Sequence, residues 1–399
     1  MQTFLAEGPE IVAIPGPSVV PDRVLSAMHR AMPDIYAGEL EDVIDEVFEA
    51  LPGIAGTASR AFVVIGNGHA AWSMALSNTL SRGDRVLVLE CGLFATVWGE
   101  LAAFDGLEVE TIASAPGRAV DPGAVESRLR ADRRGDIKAI LLAHADTASS
   151  VRNDVAAIRA AVDSAGHGAL LMVDAIATLA CERYEMDGWG VDVTIGASQK
   201  GLMVPPGLSF VWAGPRARAA HADADMRTRY WDWTARNEAG PYYRRFCGTP
   251  PVTHLYGLRE ALRMVAEEGL DARWKRHRAL ADAVRAAVGA WRPAGLRLLA
   301  AEPEERADGV TTIVVDESGA AGVDVDAVRA LCRERMGVTL GTGIGGFGAG
   351  FRIGHMGHVN APLVLGVLGA IDTALMVTGA VQPAEGAAAA ARALADHLA

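Results

Sequence analysis

Lys200 is the residue of this sequence whose surroundings most strongly suggest chemistry. The chain carries 37 basic residues, and all are arginines except Lys138, Lys200 and Lys275. Lys138 and Lys275 lie in polar stretches typical of solvent-exposed faces, whereas Lys200 follows the predicted strand Val193–Ala197 and precedes a Pro-Pro-Gly turn. Burial in a cleft lowers the pKa of a lysine amine, and the neutral amine is the nucleophile of Schiff-base chemistry. The alternative is a buried lysine–aspartate ion pair.

Asp174 ends an apolar run, Leu170-Leu171-Met172-Val173, that is typical of a central strand. A carboxylate at that point could pair with a protonated pyridine nitrogen and keep the ring an electron acceptor. It could equally cap a helical turn that begins at Ala175.

Arg352 lies between apolar neighbours in Gly350-Phe351-Arg352-Ile353-Gly354. A guanidinium in such a place needs an anion, and a substrate carboxylate matches its forked donors. An internal salt bridge would satisfy it as well.

The segment Gly66-Asn67-Gly68-His69 follows one predicted strand and opens a predicted helix. Small residues let a phosphate approach the backbone, and the free N–H groups of a helix N-terminus attract an anion. A tight strand-to-helix turn would use the same glycines. Taken together, a phosphate cradle, a ring-nitrogen partner, an amine and a carboxylate clamp are what an enzyme using pyridoxal 5'-phosphate (PLP) on amino acids requires.

Alternating strands and helices from residue 60 to residue 213 predict an α/β fold with a seven-stranded, mostly parallel sheet between helices. The predicted strands are Ala61–Ile65, Arg85–Glu90, Glu108–Ile112, Lys138–His144, Ala169–Asp174, Val193–Ala197 and Leu208–Ala213. No helix separates the last two strands, so the last one is expected to run antiparallel. Ligands of such sheets bind at the carboxyl ends of the strands, where all four groups fall.

The pattern changes after Pro250, where two long predicted helices lead into a smaller α+β unit that closes with a helix at Ala384–Leu398. We therefore expect an N-terminal arm at residues 1–21, a large PLP-binding domain at 22–265 and a small C-terminal domain at 266–399.

Composition narrows the class of protein. A net charge of −12 and a pI near 5.3 argue against nucleic acid or an anionic membrane surface as a partner. No segment predicts a spanning helix, a secretory signal or a metal site. The scattered cysteines, Cys91, Cys181, Cys247 and Cys332, indicate reduced thiols in a cytoplasmic protein.

Several motifs extend along nearly the whole chain and resemble the class V aminotransferases of PLP fold type I, in the alanine–glyoxylate and serine–glyoxylate branch. They are IPGP, GNGHAAWSMALSNTLSRGDRVLV, AHADTASSV, VDAIATLA, DGWGVDVTIGASQKGLMVPPGL, TPPVTHLYGLREAL and FRIGHMG. The resemblance implies that Lys200 forms the internal aldimine and moves the proton between Cα and C4′. It also implies that Asp174 pairs with the pyridine nitrogen, that Thr147 lies near the phenolic oxygen and that Phe94 stacks on the ring.

The same resemblance implies that Asn67, Gly68, His69 and Gln199 bind the phosphate. Thr249 matches a threonine that reaches the phosphate of the neighbouring subunit, which implies a homodimer with shared active sites.

On the substrate side, the resemblance places Gly16 near the substrate and makes Arg352 the ligand of its carboxylate. Three positions depart from the family pattern. Phe94 stands where this branch often has tryptophan, Phe246 replaces a tyrosine, and Asp34–Gly38 replaces a histidine–arginine pair near the substrate mouth.

The resulting functional prediction is transfer of an amino group from a small 2-amino acid, serine or alanine, to a 2-oxo acid, glyoxylate or pyruvate. One alternative is an enzyme that acts on free pyridoxamine with pyruvate, which the phosphate cradle argues against. A desulfurase-like lyase is disfavoured because the loop Gly341–Gly348 has no cysteine and Cys332 lies on the preceding helix. The non-enzyme alternative is a PLP-binding protein without turnover.

Overall fold

The computed structural model describes residues 5–237, 241–316 and 322–399, so the first four residues of the predicted arm lie outside it. The strands are, in chain order, β1 Ile11–Ala13, β2 Ala61–Ile65, β3 Arg85–Glu90, β4 Glu108–Ala113, β5 Ile137–Ala143, β6 Leu170–Asp174, β7 Val193–Ala197, β8 Leu208–Ala213, β9 Leu296–Leu298, β10 Val310–Val315, β11 Val338–Thr342 and β12 Gly350–Gly354.

The α-helices are α1 Asp22–Met28, α2 Glu39–Ile54, α3 Gly68–Thr79, α4 Leu93–Phe104, α5 Pro122–Ala131, α6 Val155–Ser164, α7 Pro215–Ala220, α8 Trp233–Asn237, α9 Val252–Glu268, α10 Leu270–Ala290, α11 Val325–Met336, α12 Ala361–Val377 and α13 Gly386–Leu398. Short 3-10 helices span Tyr242–Phe246, Arg292–Ala294 and Pro303–Glu305. None of the helices in the described ranges is both long and apolar enough to cross a membrane.

The large sheet has seven strands in the order β2-β8-β7-β6-β5-β3-β4. All neighbours are parallel except β8, which runs antiparallel to both β2 and β7. The predicted fold class and the antiparallel strand are therefore confirmed. The central strands are continuous apolar runs because helices cover both faces of the sheet, and every residue of β6 and β7 is buried.

A second sheet of five strands has the order β1-β11-β12-β10-β9. Its first strand comes from the N-terminal arm, because Ile11–Ala13 pairs in parallel with residues 338–340. Helices α10 to α13 supply much of the apolar core around this sheet, separate from the core of the large sheet. The proposed division between residues 265 and 266 stays a prediction.

The last helix begins two residues later than its alanine-rich sequence predicts. The Asp372 carboxylate, on α12, accepts hydrogen bonds from the backbone N–H groups of Gly386 (2.9 Å) and Ala387 (2.8 Å). A buried carboxylate at this position caps the first turn and sets where α13 starts.

Candidate active site

A cavity of about 280 Å³ lies at the carboxyl ends of the central strands. The structure brings most of the sequence-predicted residues to its wall. They are Gly16, Asn67, Gly68, His69, Phe94, Thr147, Asp174, Gln199 and Lys200. These residues come from the arm, from the start of α3, from α4 and from the loops after β5, β6 and β7, so the sheet edge assembles them as predicted.

The Lys200 side chain extends from the turn after β7 towards the N-terminal arm. Its Nζ donates a hydrogen bond to the backbone carbonyl of Pro15, and Ser18 Oγ donates to the Lys200 carbonyl at 2.7 Å. Burial, with a smaller contribution from the positive charge of Arg352, lowers the pKa of Lys200 to about 8. No lysine–aspartate ion pair involves Lys200 in the described ranges, so that alternative interpretation is wrong. A substantial fraction of this amine is neutral near pH 8.

Gly16 leaves room for the Lys200 side chain because it has no Cβ. Its φ is +114°, a backbone conformation that favours glycine, and a Cβ at this position would lie 2.4 Å from Lys200 Nζ. The arm therefore packs directly against the amine only because residue 16 has no side chain.

Asp174 is buried at the end of β6, with 6% of its surface exposed. Its Oδ1 accepts a hydrogen bond from the backbone N–H of Ile176 at 2.8 Å, and its Oδ2 accepts one from Trp72 Nε1 at 2.9 Å. Burial raises the pKa of Asp174 to about 7, and the two hydrogen bonds oppose that rise. Residues 176–180 form one helical turn, because the Ala175 carbonyl accepts hydrogen bonds from the N–H groups of Thr178 (3.1 Å) and Leu179 (2.9 Å). The Asp174 carboxylate accepts the Ile176 N–H at the start of this turn, so the capping alternative holds beside the functional one.

Helix α3 begins at Gly68, with Asn67 as its N-cap residue, and no side chain in the described part of the chain caps its first N–H groups. The first turn contains no acidic residue. The amide oxygen of Gln199 is buried and has no hydrogen-bond partner within the described ranges. An uncapped helix start with no negative charge, beside an amide side chain whose NH2 group can donate, fits the phosphate end of PLP.

Asp146 is a residue of the site that the sequence reasoning missed. It is fully buried in the loop after β5. One carboxylate oxygen accepts from the N–H groups of Phe94 (2.7 Å) and Ala95 (3.3 Å), and the other accepts from Ala148 (2.8 Å) and Ser149 (3.3 Å). Asp146 thus ties the start of α4 to the loop that carries the neighbouring threonine. Its position three residues past the buried strand β5 is the signal that could have found it.

Arg352, on β12, lies just behind the cavity wall and outside its lining. Its Nε donates to the Thr342 carbonyl at 2.7 Å, and one terminal nitrogen donates to the Thr147 carbonyl at 2.9 Å. Within the described residues no carboxylate forms an ion pair with Arg352, so the internal salt bridge is wrong. Burial lowers the pKa of the guanidinium, and the negative charge of Asp146 partly offsets this. An anion is the partner that the buried guanidinium still lacks.

Known proteins match the chain over almost its whole length. A family profile described as aminotransferase class-V matches residues 22–346. The chain belongs to the class-V aminotransferases. It is 37% identical over 392 residues to a serine–glyoxylate aminotransferase of Methylorubrum extorquens, with 96% of each chain covered. It is 35% identical to an L-aspartate–glyoxylate aminotransferase of Paracoccus denitrificans, covering 92% of this chain and 90% of the relative.

Solved structures agree with this assignment. A ureidoglycine–glyoxylate aminotransferase from Bacillus subtilis superposes with a TM-score of 0.87 at 27% identity, covering 98% of this chain and 99% of that chain. A pyridoxamine–pyruvate aminotransferase from Mesorhizobium loti gives the same TM-score and identity, with 98% of both chains covered. The predicted family is confirmed, and the chain is an aminotransferase.

Two positions of this class-V aminotransferase lie away from the cavity. Thr249 is exposed and does not line it. Cys332 is buried on α11, where burial raises the pKa of its thiol to about 12. A thiol with that pKa is a packing group and a poor nucleophile at neutral pH, which agrees with the aminotransferase assignment over a desulfurase.

The stretch that replaces the family's histidine–arginine pair forms an exposed aromatic corner. Tyr36 is 71% exposed and its ring lies 6.1 Å from that of Tyr243. The Tyr242 hydroxyl donates a hydrogen bond to the Ile35 carbonyl. Phe246, the other departure, is buried against Phe48.

Proposed function

We propose that this class-V aminotransferase binds PLP at Lys200 and moves an amino group from a small 2-amino acid, serine or alanine, to glyoxylate or pyruvate. The observation that carries the proposal is the shared cavity of a buried lysine amine with a pKa of about 8, a buried carboxylate and an uncapped helix N-terminus. The named relatives act on serine or aspartate with glyoxylate, which supports glyoxylate as the acceptor.

PLP, when bound, supplies an electron sink for the bonds of the substrate α-carbon. The residues that would hold it are Asn67, Gly68, His69 and Gln199 at the phosphate, Asp174 at the pyridine nitrogen, Thr147 at the phenolic oxygen and Phe94 on the ring face. Each has the donor, acceptor or aromatic surface that its position needs.

Three residues of the chain act on the substrate or position the amine. Lys200 Nζ would take and return the proton at the substrate α-carbon, because an amine with a pKa near 8 exchanges protons readily at neutral pH. Arg352 orients the substrate carboxylate, and Gly16, which has no side chain, lets the arm pack directly against the Lys200 amine. Each role depends on position as much as on the type of residue.

We also propose a homodimer in the cytoplasm. The exposed position of Thr249, outside its own cavity, is consistent with a contact to the partner subunit's phosphate. All four cysteines are free thiols, which is usual in a reducing compartment.

The competing function is transfer from free pyridoxamine to pyruvate, which the similar Mesorhizobium loti structure keeps in consideration. Purified protein should be mixed with serine, alanine, aspartate or pyridoxamine, and a single turnover should be followed by absorbance. We expect PLP-loaded protein to convert with serine or alanine and then to be restored by glyoxylate. Conversion with pyridoxamine alone would establish the competing function instead.

Substituting Arg352→Lys is expected to raise KM for the amino donor about 10–100-fold with a smaller change in kcat. Lysine keeps the charge but loses the forked pair of hydrogen bonds, each worth about 1.5–3 kcal/mol when charged. Steady-state kinetics with the preferred donor measure the effect. An unchanged KM would remove Arg352 from the carboxylate site.

Substituting Gly16→Ala is expected to weaken PLP binding, because the new methyl group would overlap Lys200 Nζ. Strain of this kind costs about 1–3 kcal/mol, which corresponds to a dissociation constant for PLP that is roughly 5–150-fold higher. The matched control is Gly8→Ala, since Gly8 also has a positive φ (+137°) and lies in the arm, but its Cβ would meet nothing within 4 Å. Equal losses in both variants would mean that backbone strain, and not contact with Lys200, is responsible.

A further inference from the structure

We propose that Trp72 is a positioning residue for the active site. Its indole N–H donates a hydrogen bond that orients the Asp174 carboxylate towards the protonated pyridine ring of PLP. The proposal rests on the proposed function. Trp72 lies on α3, outside the set of residues predicted from the sequence, and its indole Nε1 is 2.9 Å from Asp174 Oδ2. The contact joins residues that are 102 positions apart in the chain.

Neighbouring rings fix the orientation of this indole. The Trp72 side chain is 1% exposed. The His69 ring centroid lies 4.5 Å from that of Trp72, and the Trp98 ring stacks on the Trp72 ring at 5.6 Å with an interplanar angle of 12°. A donor held this rigidly loses little entropy when it forms its hydrogen bond, so it can orient the acceptor.

The hydrogen bonds of Asp174 do not neutralise its negative charge, so the carboxylate can still pair with a cation. Both donors are neutral, namely the backbone N–H of Ile176 and the indole N–H of Trp72. Within the described ranges no cationic side chain forms an ion pair with Asp174. Two neutral donors favour the ionised carboxylate and fix its plane, and the remaining lone pairs are free for a cation.

The charges around Asp174 make such donors necessary. The titratable groups that surround it are Asp146, Lys200, Tyr184, His144 and His69. Asp146 raises the pKa of the carboxyl and Lys200 lowers it, while burial keeps the tyrosine and both histidines neutral at pH 7. Burial and one negative neighbour therefore oppose ionisation, and the hydrogen bond from Trp72 acts against both.

The test compares Trp72→Phe with Trp98→Phe. Both tryptophans are 1% exposed and stack on each other, but Trp98 Nε1 has no hydrogen-bond partner within the described ranges. Each substitution thus removes one buried indole, and only the first removes a hydrogen bond to Asp174. The measurement is the dissociation constant of PLP from the apo dimer between pH 6 and pH 9, with urea unfolding of the apo protein alongside.

For Trp72→Phe we expect PLP binding weaker by tenfold or more at pH 6.5, the size expected for a hydrogen bond to a charged group. The loss should shrink towards pH 9, because Asp174 without this donor ionises at higher pH. Trp98→Phe should bind PLP within about twofold of the wild type across the range, because its N–H contacts no acceptor. In an Asp174→Asn background, Trp72→Phe should add no pH-dependent loss.

Equal and pH-independent losses in the two variants would overturn the proposal, since they would reduce Trp72 to a packing residue while the PLP function stands. If the wild type itself binds no PLP, the proposed function fails and this inference fails with it. Should Trp72→Phe not fold, 3-benzothienylalanine at position 72 replaces the N–H by sulfur with the same ring shape. Unchanged PLP binding in that protein would contradict the proposal just as directly.

Discussion

Lys200→Ala is expected to abolish amino-group transfer. Removal of the amine eliminates the covalent attachment point and the group that moves the proton at the substrate α-carbon, and loss of proton transfer alone costs about 10²–10⁴-fold. Single-turnover absorbance with serine and glyoxylate measures the rate. The fold should survive, because among the described residues the Lys200 side chain makes one hydrogen bond, to the Pro15 carbonyl, and it lies at a cavity wall.

The matched control is Lys138→Ala. Lys138 is exposed and its Nζ donates to the Gly135 carbonyl at 2.7 Å, far from the cavity lining, so this variant should retain wild-type rates. Turnover in Lys200→Ala at a rate close to that of the control would contradict the assignment of the lysine.

Asp174→Asn is expected to lower kcat and PLP affinity together. Removal of the charged partner of a buried cation costs about 3–5 kcal/mol, or roughly 10²–10³-fold and more. Steady-state kinetics and PLP titration at pH 7.5 measure the two losses.

The same substitution is expected to stabilise the apo protein at alkaline pH. The folded-state pKa of Asp174 is about 7 and the ordinary value is 3.8, so ionisation above pH 4 progressively destabilises the fold, up to roughly 4 kcal/mol at pH 8. Asparagine avoids this cost, although its single carbonyl oxygen can accept from only one of the donors Ile176 and Trp72. Urea unfolding of apo protein at pH 5 and pH 8 should show a gain for the variant that is larger at pH 8 than at pH 5 by roughly 2–3 kcal/mol. A variant that is less stable at both values would contradict the raised pKa.

Much of the large sheet could be predicted from the sequence because its strands are short apolar runs buried on both faces. The absence of a helix between β7 and β8 likewise gave the antiparallel strand. Since parallel strands bring their carboxyl ends to one edge of the sheet, the sequence alone predicts that Lys200 and Asp174 lie in one cavity.

Contacts between distant segments could not be predicted in this way. The Pro15 carbonyl meets Lys200, and residues 11–13 join the small sheet, only because the arm crosses between the two sheets. Trp72 reads in sequence as an apolar residue on a helix, and its N–H gains a role from the carboxylate that packing brings within 2.9 Å. Local patterns report which face of an element is buried, and they carry no information about which partner it meets.

The most direct test of the account is to locate PLP on the chain. Protein loaded with PLP is reduced with borohydride, digested and analysed by peptide mass spectrometry, and the scarcity of lysine leaves only Lys138, Lys200, Lys275 and the chain's amino terminus as candidates. The account predicts a pyridoxyl group on Lys200 alone, which disappears when serine or alanine is added before reduction. No modification at Lys200, or a label that an amino acid does not displace, would contradict it.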